Sequence, residues 1–293
     1  FDYSQLEYVL GKFLTRRYEY YGGCKSNGFR VVILAVRGMG FLFWILGVLI
    51  LNGIDALSLN IFMNEGAPPG HIDGGLKHAL IGQLYIVGVA SLIGVPLGIL
   101  AGTYLSEYGQ KSKLAETIRD ISDIMMSAPS IVIGAFVYAI VVMPMGHFSG
   151  WAGSIALTII MLPIILRTTD DMLHLVPSTL REAAFALGAP KYKVIMQVVY
   201  RGAKAGILTG VLLGIARVAG ETAPLLFTSF NNNFMNTNMN ESMASLTVTM
   251  FNYATSPYED WQKLGWAAAF ILSMFILGLN ILGRLFLLKK KGR

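Results

Sequence analysis

Residues 177–201 read Pro-Ser-Thr-Leu-Arg-Glu-Ala-Ala-Phe-Ala-Leu-Gly-Ala-Pro-Lys-Tyr-Lys-Val-Ile-Met-Gln-Val-Val-Tyr-Arg, the longest patterned stretch that cannot itself cross a membrane. Thr179 and Glu182 have capping-box spacing, which predicts that Thr179 caps a helix. Gly188 ends that helix, and Pro190 suits the first turn of a second one. The pattern therefore predicts a short amphipathic helix, a turn and a second helix, held between two membrane spans.

The rest of the chain is strongly apolar. Of its 293 residues, 54% are hydrophobic and only 14% are charged, whereas soluble domains carry about 25% charged residues. Its 32 glycines suit membrane helices, which pack closely through small residues. A span needs about 20 mostly apolar residues, and six stretches qualify. We therefore predict an all-α polytopic membrane protein with six transmembrane helices.

The predicted spans form one transmembrane domain, residues 31–288. We place them at residues 31–59 (or 38–59), 77–104, 124–143, 150–166, 202–224 and 264–288, with the second broken at Pro96. A polar N-terminal segment (1–30) precedes this domain, a basic tail (289–293) follows it, and an Asn-rich segment (231–263) lies between the last two spans. Within the Asn-rich segment, residues 244–253 are apolar enough for a re-entrant or interfacial helix.

Basic residues are distributed unequally between the loops, which predicts an orientation. When Arg37, Lys204 and Arg284 are counted with the loops or termini beside which they lie, all but three of the 23 Lys and Arg residues fall in the N-terminal stretch, the loops after spans two and four, and the C-terminus. The exceptions are Lys77 and Lys263 on the opposite side and Arg217 within span five. Because basic residues favour the cytoplasmic side, both termini and the loop at residues 167–201 are predicted to be cytoplasmic.

An amphipathic helix between two spans can act in two ways. It can lie on the lipid surface, or it can insert into the groove of a partner protein. The small pair Ala183–Ala184 would let another surface approach closely. The pattern leaves both alternatives open. Residues 167–201 are called the docking loop below.

The docking loop resembles a known motif. Glu182-Ala183-Ala184, followed by Gly188 and by Ile195 in the second helix, is similar to the EAA loop of permease subunits in bacterial ABC importers. In that family the loop docks on a cytoplasmic ATPase subunit and transmits its closure. The Leu-Pro pair that usually follows the distal Ile is replaced here by Tyr-Arg. The resemblance implies that the residues coupling to the ATPase are Thr179, Glu182, Ala183, Ala184, Gly188 and Ile195.

Two charged residues, Arg217 and Glu221, lie four positions apart in the predicted fifth span, and therefore on one helix face. Charges within spans are costly and usually face a cavity or a partner. The planar fork of an arginine suits phosphate, so Arg217 could meet an anionic substrate, with Glu221 as its other partner. The alternative is a permanent ion pair that joins span five to a neighbouring helix.

Further motifs resemble the A-type permease subunit of the phosphate-specific ABC importer. They are residues 220–226 (Gly-Glu-Thr-Ala-Pro-Leu-Leu), 128–134 (Ala-Pro-Ser-Ile-Val-Ile-Gly) and 162–169 (Leu-Pro-Ile-Ile-Leu-Arg-Thr-Thr), with residues 245–248, 251–254 and 265–269 near the end of the chain. The resemblance covers roughly residues 75–288 and implies a type I ABC importer permease fold. The family's intramembrane Arg and Glu are implicated in transport. We therefore assign Arg217, Glu221 and Thr222 to the substrate pathway or its gate.

The resemblance also implies a complex in the bacterial inner membrane. In the family this subunit pairs with a homologous C-type permease, two copies of a cytoplasmic ATPase and an extracytoplasmic phosphate-binding protein. The sequence contains no Gly-x4-Gly-Lys-Ser/Thr run, so it cannot bind ATP through a P-loop. ATP and Mg²⁺ are therefore expected on the ATPase. This chain is predicted to be non-catalytic, without a cofactor, in contact with membrane lipid and not with nucleic acid.

Other candidate sites are weaker. His71, His78, His147 and His174 lack metal-ligand spacing, and we interpret Asp170 and Asp171 as a solvated start of the docking loop. A permease for another oxyanion, such as molybdate or sulfate, remains an alternative because arginine alone does not separate tetrahedral anions. An ion-coupled secondary transporter is a second alternative, although no inverted repeat is visible. An intramembrane enzyme would need a convergent nucleophile or metal site, and the sequence offers neither.

Overall fold

The computed structural model describes residues 34–68, 70, 74–109 and 112–290, and these residues form helices joined by turns and loops. The helices are α1 (Leu34–Ala56), α2 (Asn60–Met63), α3 (Lys77–Glu107), α4 (Lys113–Ser127), α5 (Ser130–Val137), α6 (Met143–Met145), α7 (Gly150–His174), α8 (Ser178–Ala186), α9 (Lys191–Val194), α10 (Tyr200–Ala219), α11 (Ala223–Thr228), α12 (Leu246–Ala254) and α13 (Glu259–Lys290). Short π-helices, Tyr138–Val142 and Ile195–Val199, continue α5 and α9. The predicted N-terminal segment, Cys24, His71 and the last residues of the basic tail lie outside the described residues.

The chain divides into two units, residues 1–51 and 52–293. The described part of the first unit is the beginning of α1. The second unit contains α2 to α13 and all of the side chains discussed below.

Membrane-spanning length is present in five described helices: α1, α3, α7, Lys191–Ala219 and α13. A sixth span results if α4 is taken together with the helical stretch Ser130–Met145, although the two are bent by 105°. The predicted all-α class is confirmed, and the number of spans agrees with the prediction when this bent pair counts as one.

The core of the second unit lies where α3 packs along α7. Gly94, Gly98 and Gly102 form a strip on α3, one residue per turn, and a Cβ on Gly98 would lie 2.8 Å from Ile165. Such small residues allow close packing between membrane helices. Pro96 lies on this helix without interrupting it, so the predicted break in span two is wrong. Prolines are tolerated where neighbouring helices and local adjustments satisfy the freed backbone groups.

Spans three and four differ from their predicted bounds. The backbone is extended at Ala128 and Pro129, so the helix of span three begins at Ser130 and not near residue 124. The preceding residues form α4, an amphipathic helix where a charged loop was expected. Span four continues to His174, and residues 167–174 of the docking loop are therefore the last turns of α7.

Spans five and six also differ. One continuous helix runs through α9, the second π-helix and α10, from Lys191 to Ala219, whereas residues 202–224 were predicted. The last span begins at Glu259, earlier than the predicted residue 264. Residues 246–254 form α12, which confirms a helix in the Asn-rich segment.

Candidate substrate pathway and docking loop

Arg217 lies in the last turn of α10, which ends at Ala219. The prediction that Arg217 and Glu221 share one helix is wrong, because Glu221 and Thr222 lie between α10 and α11. The two charges nevertheless meet, with Arg217 Nη2 3.6 Å from Glu221 Oε1. The Arg217 side chain is 56% exposed, whereas that of Glu221 is 14% exposed.

Side chains from two other helices fix the break between α10 and α11. Gln83, buried on α3, donates from Nε2 to the carbonyl oxygen of Ala219 at 3.0 Å. Its Oε1 accepts from the backbone N–H of Leu246 at 3.1 Å. Thr247 Oγ1 donates to the carbonyl oxygen of Glu221 at 3.0 Å. Because an interrupted helix leaves carbonyls without intrahelical partners, these bonds hold the backbone beside Arg217 in place.

Arg217 borders a cavity of about 300 Å³ between α4, α5, α7 and α10. Nine described residues line it: Met125, Met126, Ala128, Ser130, Ile133, Ile160, Ile164, Leu213 and Arg217. Only Arg217 and Ser130 among them carry polar side chains. One water occupies about 30 Å³ in the liquid, so the cavity has room for a small hydrated anion.

The charge arrangement suits reversible anion binding. At 3.6 Å, the Arg217–Glu221 pair is longer than a charge-assisted hydrogen bond of about 2.7–2.9 Å. An exposed and loosely paired guanidinium keeps N–H groups available for another acceptor. Thr222, partly buried, directly precedes α11, and its carbonyl accepts from the N–H of Leu226 at 3.2 Å.

The docking loop forms α8, a turn and α9, as its pattern predicts. The predicted Thr179 cap is wrong: the cap position is Pro177, two residues earlier, so α8 begins at Ser178, and no side chain caps it. Gly188 has φ of 78°, a left-handed conformation that suits the end of a helix. This part of the chain therefore has the predicted helix–turn–helix form, with a different start.

The predicted coupling residues are not all on the surface. Thr179, Glu182, Ala183 and Gly188 are exposed. Ala184 is partly buried and packs against an apolar cluster that includes Leu173, Val176, Val194, Val199 and Ala203. Ile195 is 6% exposed. The four exposed residues therefore form an outer surface, and the two less exposed ones, Ala184 and Ile195, fix the position of that surface.

The outer surface of α8 and its turn is apolar. Leu180 is 50% exposed and Leu187 is 89% exposed, and Phe185 is also exposed. These side chains, with Ala183 between them, are available to a partner.

Asp170 has a different environment from the one that its sequence context suggested. Its side chain is 4% exposed and accepts from Arg119 Nε of α4 at 2.8 Å. The interpretation of Asp170 as part of a solvated loop is therefore wrong, whereas Asp171 is exposed. Among the described residues, no group of three or more His, Cys, Asp or Glu side chains could hold a metal ion.

Sequence reasoning missed Gln83, Ser130 and Thr247 as parts of this region. A glutamine inside an apolar span was a visible signal for Gln83, because buried polar groups need partners. Ser130 follows the proline that interrupts span three. Thr247 lies in a motif that supports the resemblance, but nothing in the sequence indicated its hydrogen bond to Glu221, 26 positions away.

Three comparisons bear on the family. Residues 94–290 match the sequence model of the binding-protein-dependent transport system inner membrane component. The phosphate transport system permease protein PstA of Haemophilus influenzae is 53% identical over 259 residues, which is 88% of this chain and 92% of the relative. The protein of the same name from Pasteurella multocida is 52% identical over 253 residues, 86% of this chain and 90% of the relative.

A solved structure supports the fold. The MetNI methionine ABC transporter, in an inward-facing conformation, has a chain that matches with a TM-score of 0.59 and 19% identity, covering 72% of this chain and 94% of the other. At this identity the likeness concerns the fold, which is that of an ABC importer permease. The family match and the sequence relatives show that this chain belongs to the family of binding-protein-dependent transport system inner membrane components.

Proposed function

We propose that this chain is the permease subunit of an ATP-driven importer of inorganic phosphate and forms half of the translocation pathway. The observation that carries the proposal is the position of Arg217, a largely exposed cation that borders a cavity inside the helix bundle. The chain's relatives are phosphate transport permeases. Few side chains other than arginine offer a planar fork that matches two oxygens of a tetrahedral oxyanion.

Phosphate passes the break between α10 and α11, where Arg217 binds it through two N–H groups. Glu221 holds the guanidinium when no anion is present, since its carboxylate lies 3.6 Å away. Ser130, which also lines the cavity, can both donate and accept hydrogen bonds, so it suits a phosphate that carries a proton. A few exposed contacts make a weak site, as a pathway that must release its cargo requires.

The partners follow from the family. The chain pairs with a homologous permease, receives phosphate from an extracytoplasmic binding protein and couples to two cytoplasmic ATPase subunits. The exposed apolar face of α8 inserts into a groove of the ATPase. ATP and Mg²⁺ bind there, and this chain performs no catalysis. Both termini and the docking loop face the cytoplasm, which agrees with the distribution of basic residues.

Uptake of labelled phosphate into vesicles that contain the whole complex tests the proposal. Arg217→Gln removes a charge-assisted contact worth about 1.5–3 kcal/mol, so uptake should fall by about 10- to 150-fold. Arg217→Lys keeps the charge without the fork, and should retain part of the uptake. Lys204→Gln is the matched control, because Lys204 is an exposed cation on the same helix.

Co-purification of the ATPase subunits separates transport from assembly. Lost uptake with normal assembly supports Arg217 as the pathway cation. Unchanged uptake in Arg217→Gln would refute this assignment. A wild-type complex that transports molybdate or sulfate and not phosphate would refute the substrate.

A further inference from the structure

Glu107, the last residue of α3, makes an ion pair that the proposed pathway does not use. Its side chain is 8% exposed and accepts from Arg181 Nη2 of α8 at 2.9 Å. A carboxylate at a helix C-terminus is unfavourable, because that end of the helix carries partial negative charge. A specific partner must therefore compensate for this position, and Arg181 supplies the opposite charge.

Arg181 joins more than two elements. Its Nη1 donates to the carbonyl oxygen of Val176 at 2.6 Å, and its Nη2 also donates to that of Leu173 at 2.8 Å. Leu173 lies in the last turn of α7, and Val176 lies in the turn before α8. One guanidinium, 20% exposed, thus ties α8 to the ends of both α3 and α7.

A second cation ties the same end of α3 to α9. Lys191 Nζ donates to the carbonyl oxygen of Glu107 at 2.8 Å, and lies 3.8 Å from the centre of the Tyr108 ring. The contacts of Glu107 with Arg181 and Lys191 are called the Glu107 clamp below. The clamp connects α3 to the helices on both sides of the Gly188 turn.

The other end of α3 carries Gln83, which binds the backbone at Ala219 and Leu246. Helix α3 is continuous from Lys77 to Glu107. About 36 Å of helix separates Gln83 from Glu107, at about 1.5 Å per residue. A single helix therefore contacts the docking loop at one end and the break beside Arg217 at the other.

We propose that Glu107 is a positioning residue for energy coupling: the Glu107 clamp makes α3 follow the docking loop, and α3 moves the break beside Arg217. This inference rests on the proposed function, because only docking of an ATPase would move the loop. A packed helix transmits displacement, since closely packed interiors deform little. Coupling is demonstrated only if a change at the docking-loop end of α3 alters the end beside Arg217. The experiments below therefore measure effects at both ends.

The test compares Glu107→Gln, Arg181→Gln and the double variant in the complete complex in vesicles. Phosphate uptake and ATP hydrolysis are measured together, and ATPase co-purification reports assembly. Arg181→Lys is the conservative variant: it keeps the charge but replaces two terminal nitrogens, which bind separate acceptors, by a single one. The exposed residues Asp120 and Lys204 provide control variants, Asp120→Asn and Lys204→Gln.

Phosphate transported per ATP hydrolysed should fall by about tenfold in each single variant, within the range of ordinary coupling energies. The double variant should be no worse than the worse single variant, because all three lose one shared interaction. Arg181→Lys should recover part of the ratio, and the controls should match the wild type. A purely structural role would lower the amount of complex and leave this ratio unchanged.

A second readout does not depend on the cargo. Leu213→Cys places a thiol at the cavity in a Cys24→Ser background, and its labelling rate is measured with and without ATP. ATP should change the rate, and Glu107→Gln should abolish that change. If the wild type takes up no phosphate, the proposed function is refuted, but the labelling rate still tests the Glu107 clamp.

Three outcomes would overturn the clamp. One is an unchanged transport ratio in assembled Glu107→Gln complexes. Another is additive effects of the two single changes. The third is loss of the ATPase from Arg181→Gln but not from Glu107→Gln, which would mean that Arg181 contacts the ATPase itself.

Discussion

Gln83→Leu is the substitution that most directly tests how the break beside Arg217 is held. The two side chains have similar size, so the change removes hydrogen bonds without leaving a large cavity. It deletes the donor to Ala219 and the acceptor for Leu246, and Gln83 is only 7% exposed. Both backbone groups therefore lose their partner at a buried position.

The expected cost follows from these two bonds. Side-chain hydrogen bonds between membrane helices contribute about 0.6 kcal/mol each on average, so loss of two of them should lower the stability of the fold by at least about 1.2 kcal/mol. An orphaned buried group costs about 1–3 kcal/mol, which gives an upper value of about 6 kcal/mol. Gln83→Glu keeps an acceptor for Leu246 but loses the donor to Ala219 and buries a charge, so it should not restore stability.

Denaturant unfolding of the purified protein gives the stability change, and phosphate uptake gives its functional consequence. The control is Gln262→Leu, which removes one hydrogen bond at an exposed glutamine. We expect Gln83→Leu to cost clearly more than the control and to reduce uptake. Equal stability of the two variants, with normal uptake in both, would refute the argument that Gln83 holds the break.

Three further substitutions test local features. Ser149→Ala removes the side-chain acceptor for the N–H of Ala152 at the start of α7, and should cost about 1 kcal/mol in denaturant unfolding. Gly134→Ala places a Cβ 2.6 Å from Pro224 Cα, which should separate α5 from α11, cost about 1–3 kcal/mol and lower uptake. Gly188→Ala forces a left-handed conformation that costs about 1–2 kcal/mol, and co-purified ATPase should decrease; an unchanged yield would argue against a role for this turn in docking.

The prolines show how far local signals predict this fold. Pro96 and Pro129 both lie in apolar stretches, and each lacks a backbone N–H. Pro96 is accommodated inside α3, which packs along α7, whereas Pro129 separates an amphipathic helix from an apolar one. Hydropathy therefore predicted where spans occur, but packing decided which proline interrupts a helix.

The candidate site was predictable only where its residues are close in sequence. The spacing of Arg217 and Glu221 brought their charges together even though the helix ends between them. The partners of Gln83 are 136 and 163 positions away, and no property of a single sequence identifies such pairs. The same applies to the buried Asp170, whose partner Arg119 is 51 positions away.

The π-helix at Ile195–Val199 lies between α9 and Arg217 within one uninterrupted helix. A π-turn holds one residue more than an α-turn, and one residue corresponds to about 100° of rotation around an α-helix. Deletion of a single codon here, such as that of Gln197, would preserve helicity but rotate the arginine away from its present direction relative to α8. Surface loops tolerate changes in length. Within this helix, by contrast, an insertion or deletion of one residue changes the direction of the arginine relative to α8, and such a change carries a penalty.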